Sequence, residues 1–516
     1  MRRRRGSITV FAALSLMLVA QLIFTLLEAA RNAEYGKVLQ MNTDAALESV
    51  FAEYVSPLWD NYHLLGFSAE NGDNKLSFNN QEAEMRNLSC ANLSSRGKTR
   101  VLAGSSLLTA DMTDAEFTSY MLMTDQQGKV FQAAVVSYMK NNLAYETARS
   151  VYDGYESAKE LKKDYGDGDA SIGSALDALE SIEESSEGAP QTAAGGSRKG
   201  ISRKDSEGEF SENGSGGTEE NLLTTVVDTK QKGVLSLVLP ESAKVSGAQV
   251  ELAQTVSHRK LQQGTEERAL SGDWYDQVLM NQYLTHYLAN YTDKAVDRGL
   301  NYELEYLIGG KSSDAENLRL VVAEILAMRE AMNLAGLVAS PAKQAEALEL
   351  ALLLAGATVN PLIIEAVKYG ILAAWAYAES ILDLRTLLAG GKVAMLKSDA
   401  DWTSDLHAIP ALLTGFSQAK SSPQGKSYKD YLSLLLFFHS EETLAMRAMD
   451  VQEAAVRQNA GYEGFRMDCV VCEAEVRAAY SYVPVFLGFV TLLGEEAQTF
   501  CIRRTSRYSY LENRNQ

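Results

Sequence analysis

The chain has 516 residues, and 48 Lys and Arg stand against 67 Asp and Glu, giving a net charge of −19. That length can bury at least one substantial core, while a surface this acidic repels phosphate backbones and excludes nucleic acid as an expected partner. Only 8 prolines, with abundant Ala, Leu and Glu, predict a helix-rich chain, and four cysteines are too few for a disulfide scaffold.

Arg2, Arg3, Arg4 and Arg5 open the chain and form a basic leader, 1–6, ahead of an uncharged stretch, 7–27. A helix of that length spans the roughly 30 Å hydrocarbon core of a bilayer. A secretory signal has a shorter apolar region of about 7–15 residues followed by small residues at the cut. Here a cut after Ala30 would put Glu28 where a small residue is wanted. The expectation is a single-pass anchor in contact with membrane lipid, with the four arginines cytoplasmic and the bulk of the chain outside. The helical pattern continues through 28–56 until Pro57 ends it. Tyr35, Val38, Leu39, Ala46, Val50 and Tyr54 form one apolar stripe along this stalk, to be laid on the folded body or on a partner helix.

Residues 57–164 are expected to form a first part of the body. "LWDNYHLLGF" clusters Trp59, Tyr62, Leu64 and Phe67 as aromatic core; Arg100–Met123 mixes strand and helix signals; Phe131–Leu161 reads as a helix. Residues 165–220 are dominated by Gly, Ser and Glu with almost nothing to bury, and read as a flexible tether. A second, helix-rich part with C-terminal strands follows at 221–516. "GVLSLVLP" is a short strand or helical turn, and Trp274–Val296 a helix. "LNYELEYLIGG" alternates Tyr302, Leu304, Tyr306 and Ile308 with Glu303 and Glu305 and reads as a half-buried strand. Ser313 or Asp314 then caps a helix running to Leu337.

Ala347–Gly390 is apolar enough to raise a second membrane crossing. Glu349, Glu365, Lys368 and Glu379 recur through it and Asn360-Pro361 breaks it, so two buried helices of a water-facing body are expected. Tyr428–Gln458 reads as one further helix. From Cys472 to Tyr482 even positions are apolar and the intervening Glu473, Glu475 and Arg477 charged, an amphipathic strand. "VFLGFVTLL" and Thr499–Tyr510 are expected to continue a small antiparallel sheet. The fold class is therefore α+β and helix-rich: a long N-terminal transmembrane and stalk helix, then a helical body with a small antiparallel sheet.

No catalytic, cofactor-binding or metal-ligating set emerges. Cys469 and Cys472 fall in a strand pattern, not at a helix N-terminus, so structural cysteines are expected, with a disulfide among Cys90, Cys469, Cys472 and Cys501 left open. Gly310-Lys311-Ser312 and Gly425-Lys426-Ser427 lack the earlier glycine of a phosphate loop and read as turns.

Arg5-Gly6-Ser7-Ile8-Thr9-Val10-Phe11 resembles the start of the pilin-like proteins of bacterial Flp/Tad pilus-assembly systems. That resemblance implies prepilin-type cleavage between Gly6 and Ser7, although Phe11 stands where those pilins usually carry Glu. "GSITVFAALSLMLVAQLIFTLLEAAR", "KGVLSLVLPESAKVS" and "LNYELEYLIGGKSSDAENL" are similar to an uncharacterised family of Clostridia-type membrane proteins associated with such loci, TadE/TadG-like at the N-terminus. It implies a non-enzymatic structural component, oligomeric or associated with other pilin-like or pilus-assembly proteins. The alternative is a stand-alone surface receptor or adhesin.

Overall fold

The computed structural model describes residues 5–70, 75–93, 109–140, 221–266, 268–295, 298–355, 359–486 and 499–511, together with residues 149, 152, 155, 156 and 174. In chain order the elements used below are α1 (Arg5–Ala52), α2 (Ser56–Tyr62), β1 (Phe67–Ser68), α3 (Asn79–Leu93), β2 (Asp111–Leu122) and α4 (Asp125–Met139). They continue with α5 (Glu303–Gly309), α6 (Asp314–Ala339), α7 (Pro341–Ala355), α8 (Pro361–Leu388), α9 (Tyr428–Leu436), α10 (Glu441–Val456), β3 (Val470–Tyr482) and β4 (Phe500–Ser509). The fold is helix-rich α+β with one long N-terminal helix and a small antiparallel sheet, as the sequence predicts.

Two compact units divide the chain, and both are discontinuous. One comprises Met1–Ala144, Leu252–Tyr283 and Glu441–Gln516; the other comprises Tyr145–Glu251 and Leu284–Ser440. The compact units thus do not follow the expected 57–164 and 221–516 parts, because β3, near the C-terminus, pairs with β2 in the first stretch. The tether expected at 165–220 lies outside the described residues apart from Ser174.

In the first unit β3 pairs antiparallel with β1, β2 and β4, with Phe117 opposite Val476 and Tyr482 opposite Phe500. Arg100–Met123 is described from residue 109 onward and resolves there as the strand Asp111–Leu122. The even side chains of β3 are buried as expected, and they meet α1: Tyr35, Leu39, Ala46, Leu47, Val50 and Phe51 form one core with Ala474, Val476, Ala478, Tyr480 and Tyr482. Burying each of the Leu, Val and Phe side chains among them is worth about 1.5–3 kcal/mol, so the stalk is held by its own sheet. Gly36, the single glycine in the stalk, faces β4 at close range; a Cβ there would stand 3.0 Å from Arg504 Nη2. Helix α1 ends at Ala52, short of the Ser56 expected, because Val55 N–H turns to Gly66 O (3.0 Å) and Tyr54 bridges to Phe67.

In the second unit α8 is buried from Gly370 onward, packed against α6 and α7. Its buried carboxylates are paired inside. Arg329 of α6 donates to Asp383 Oδ2 through Nη2 at 2.7 Å and Nε at 3.0 Å, and Lys397 reaches Asp383 Oδ1 at 2.6 Å and also binds Glu379. The two helices expected across Ala347–Gly390 are α7 and α8, and Asn360 caps the second by accepting Leu362 N–H at 3.1 Å. Near the connection between them Leu353, Val359 and Leu362 are exposed.

Three expected elements are corrected. The alternating stretch at 302–308 is a helix, α5, ended by Gly310 in the left-handed conformation (φ 63°). Its two glutamates are buried: Glu303 Oε2 accepts Ala289 N–H and Glu305 Oε1 accepts Tyr291 N–H, both at 2.8 Å. The helix expected at Tyr428–Gln458 is two, α9 and α10, broken at Phe437–Ser440, where the N–H groups of Phe437 and Phe438 bond three residues back. The helix from Trp274 stops at Tyr287, ahead of a turn in which Asn290 Oδ1 accepts Thr292 N–H at 3.0 Å. Ser313 caps α6 as expected, accepting Glu316 N–H at 3.3 Å. "VFLGFVTLL" lies largely outside the described residues.

Candidate functional site at the neck of the N-terminal helix

Helix α1 is the one helix among the described residues long and apolar enough to cross a membrane, and none of its apolar stretch is buried. Ile8, Phe11, Leu14, Leu18 and Leu22 all stand exposed. An uncharged run that folds into helix with no protein to cover it has the character of a membrane span. Arg2, Arg3 and Arg4 lie outside the described residues, while Arg5, Gly6 and Ser7 form the first turn of α1.

The first charged residues after that run are not in solvent. Glu28 and Arg31 are buried one helical turn apart, with Glu28 Oε1 accepting from Arg31 Nη1 at 2.6 Å. Glu28 Oε2 accepts the backbone N–H groups of Val485 (3.1 Å) and Phe486 (2.8 Å), just beyond β3. Arg31 also donates to Val483 O at 3.1 Å and to the Tyr35 hydroxyl at 2.8 Å, and that hydroxyl donates to Thr109 O at 2.6 Å. Tyr482 stacks on Tyr35 with ring centroids 4.2 Å apart and donates its hydroxyl to Asn32 Oδ1 at 3.0 Å. Burial raises the Tyr35 phenol above its ordinary range against the opposing pull of Arg31, so the ring stays neutral and donates. The whole constellation is a neck clamp that ties the helix, where it leaves its apolar stretch, to the end of β3.

Of the stalk residues named from the sequence, Leu39, Ala46 and Val50 lie in the shared core and Val38 packs partly buried against it. Tyr54 does not: it lies past the end of the helix, partly exposed, with its ring edge-on to Trp59. Sequence reasoning missed Glu28 and Arg31 as contact residues. The available signal was an i, i+3 pair of opposite charges directly after an uncharged run, a spacing that places both groups on one helix face.

A second feature lies in the same unit, a polar cleft of about 650 Å³ lined by Gln126, Gln127, His258, Gln262, Gln263 and Glu442 among others. Its wall contains three successive left-handed residues, Gln126 (φ 54°), Gln127 (φ 59°) and Gly128 (φ 87°). Such a turn costs roughly 1–2 kcal/mol per non-glycine residue. It is held by Asp125, which accepts Leu122 N–H at 2.7 Å and Gly264 N–H at 2.9 Å. Gln126 adds bonds from Nε2 to Arg268 O (2.7 Å) and from Leu270 N–H to Oε1 (3.1 Å). Ser257, His258 and Asp450 meet at the rim, but Ser257 Oγ gives its proton to Asp450 Oδ2 at 2.5 Å, the reverse of a relay in which histidine takes the serine proton.

The cysteines carry no reactive thiol pair. Cys469 and Cys472 are free and buried; burial pushes the Cys469 thiol up to about 12 and raises that of Cys472 as well. Cys90 and Cys501 are free and exposed. Among the described residues no group of three or more His, Cys, Asp or Glu is arranged to hold a metal ion.

The model of a family of unknown function, DUF5702, matches residues 212–482. The chain belongs to that family. No curated protein and no solved structure matches it. The DUF5702 match takes in α5 to α10 and β3 and stops at Tyr482, the residue that closes the neck clamp on Asn32. The clamp's helix, α1, precedes the matched segment.

Proposed function

We propose that this DUF5702 protein is a non-enzymatic, membrane-anchored structural component of a Flp/Tad-like pilus or secretion-assembly system. Its N-terminus lies in the cytoplasm and the bulk of the chain beyond Leu27 lies outside the cell. The observation that carries the reading is the continuity of α1, an uncovered apolar half running without a break into a half packed on a four-stranded antiparallel sheet. That arrangement is pilin-like, and it agrees with the Gly6-Ser7 leader motif and the four arginines before it. Because the stalk stripe is covered within the chain, lateral packing with other pilin-like helices falls to the exposed stretch from Ile8 to Leu27.

Two measurements test this. Affinity purification of the full chain from its native cells should recover pilus-assembly proteins, and mass analysis of the mature N-terminus should place Ser7 first. An intact leader together with no assembly protein among the co-purified species defeats the reading. The polar cleft with its left-handed turn favours one alternative, a stand-alone surface receptor or adhesin, and that reading gains if the chain is recovered alone.

A further inference from the structure

We propose that the polar cleft of the first unit is a binding site for a neutral, polyhydroxylated ligand, a short oligosaccharide. Such a site serves a chain that works alone or within an assembly, and nothing in the anchoring reading requires it.

The wall of the cleft carries strain that the chain itself does not offset. Gln126 and Gln127 both adopt a left-handed backbone conformation, φ 54° and 59°, which glycine takes without cost. Gln126 gains in return, since its carboxamide donates to Arg268 O and accepts Leu270 N–H. Gln127 gains nothing comparable: its side chain is exposed in the cleft wall and makes no hydrogen bond among the described residues. Uncompensated backbone strain at a residue with an unused polar side chain points to a role outside the chain. Thr124, in the same wall, repeats the pattern. It is 3% exposed and stands at the N-cap of α4, where threonine ordinarily accepts a backbone N–H. Yet its hydroxyl caps nothing and has no hydrogen-bond partner among the described residues.

The chemistry of the lining selects the ligand. Gln262 and Gln263 add two carboxamides that are likewise unbonded among the described residues. A carboxamide sets N–H donors beside a carbonyl acceptor, which matches neighbouring sugar hydroxyls that each donate and accept. Leu261 and Met446 supply apolar surface for the C–H face of a sugar ring. At about 650 Å³ the cleft falls within the roughly 300–1,000 Å³ typical of small-ligand sites. An anionic ligand would meet Asp125, Glu266 and Glu442 against Arg447 and His258, an excess of carboxylate. A cation finds little to hold it, because two of those carboxylates are spent inside the unit. Asp125 accepts the N–H groups of Leu122 and Gly264, and Glu266 accepts the Ser119 hydroxyl at 2.8 Å and lies 3.4 Å from Arg507. A neutral ligand remains. Asp125 and Gln126 pin the turn, so Gln127 is positioned before any ligand arrives, which lowers the ordering cost of binding.

Saturation-transfer NMR on the full chain in phosphatidylcholine nanodiscs tests this. Cellotriose, maltotriose and triacetylchitotriose serve as neutral probes, with spermidine and trialanine as counter-probes. At least one trisaccharide should receive saturation above that seen with protein-free nanodiscs. Gln127→Gly should weaken its binding at least tenfold while raising the midpoint in urea, and Gln263→Ala should weaken it several-fold with the midpoint unchanged. If the turn is purely structural, Gln127→Gly raises the midpoint and leaves binding intact, and that result overturns the proposal. Saturation of spermidine or trialanine with none of the trisaccharides overturns it too, as does the absence of saturation in every probe.

Discussion

The carboxylate of Glu28 accepts the backbone N–H of Phe486 at 2.8 Å, joining residues 458 positions apart. A glutamate that follows an uncharged helix would ordinarily face water; here it is buried with Arg31 and holds Val485 and Phe486, just beyond β3. Removing one partner of a buried ion pair strands the other charge, at about 3–5 kcal/mol. Arg31→Met and Glu28→Ala should each lower the stability of the first unit by that order, and the double variant should lose less than the sum. Urea unfolding of the detergent-solubilised chain, followed by near-UV circular dichroism, checks this.

Tyr480 of β3 meets Asn42 Nδ2 at 3.0 Å and Thr43 Oγ1 at 2.9 Å on the buried face of α1, and Asn42 Nδ2 also donates to Ser89 Oγ of α3 at 2.8 Å. These polar groups sit in an otherwise apolar interface and fix the register of helix on sheet. Tyr480→Phe should cost about 1–3 kcal/mol by leaving Thr43 with one partner fewer. Faster amide exchange confined to α1 and α3 is the expected pattern.

The buried network of the second unit behaves differently. Burial would raise the Asp383 carboxyl, but Arg329 and Lys397 outweigh it and hold it below the ordinary range. Asp383→Asn leaves two buried cations facing a neutral amide and should unfold or severely destabilise the second unit. Arg329→Met, which leaves the Lys397–Asp383 pair intact, should be milder. Thermal unfolding of the two variants under the same conditions separates them.

Glu303 and Glu305 set a pH dependence of opposite sense. Burial pushes each carboxyl up to about 7, against the backbone N–H groups that favour the charged form. The native state therefore holds protons that the unfolded chain releases above about pH 4.3. Their stabilising contribution is fully present below that value and is lost as pH rises through about 7. Glu305→Gln should roughly halve the fall in stability between pH 5 and 7.5, and the Glu303→Gln/Glu305→Gln double variant should leave a midpoint in urea that hardly drifts with pH.

The left-handed turn makes a fifth expectation. Gln127→Gly should stabilise the first unit by roughly 1 kcal/mol, since glycine adopts a positive φ without strain. Gly128→Ala should do the reverse, because its φ is 87° and a Cβ would stand 2.8 Å from that of Ala445. Paired denaturation curves of the two variants give the signs directly.

Much of the long-period pattern was legible in the sequence. The uncharged run, the stripe through Leu39, Ala46 and Val50, the paired helices across Asn360-Pro361 and the alternating strand from Cys472 all follow from one rule, that apolar positions face protein or lipid. The same rule failed at 302–308. It counted Glu303 and Glu305 as solvent-facing and read a strand, whereas both carboxylates are buried accepting backbone N–H groups. It also gave no hint that the last strands belong with the first helix, since strand pairing depends on partners that no local window contains. The break at Phe437–Ser440 has no Gly or Pro to announce it, and the burial of Glu28 with Arg31 depends on chain just beyond β3 that no local window contains.

The stripe of α1 and the strand that covers it lie at opposite ends of the chain, and this has a bearing on biogenesis. Ribosomes add about 5–20 residues per second, so a nascent chain carries Tyr35, Leu39 and Phe51 uncovered for tens of seconds before Val476 and Tyr480 exist. Shortening the C-terminus would therefore be felt first at the N-terminal helix, and quality control acting on the nascent chain would meet every unfinished copy with its greasiest face still open.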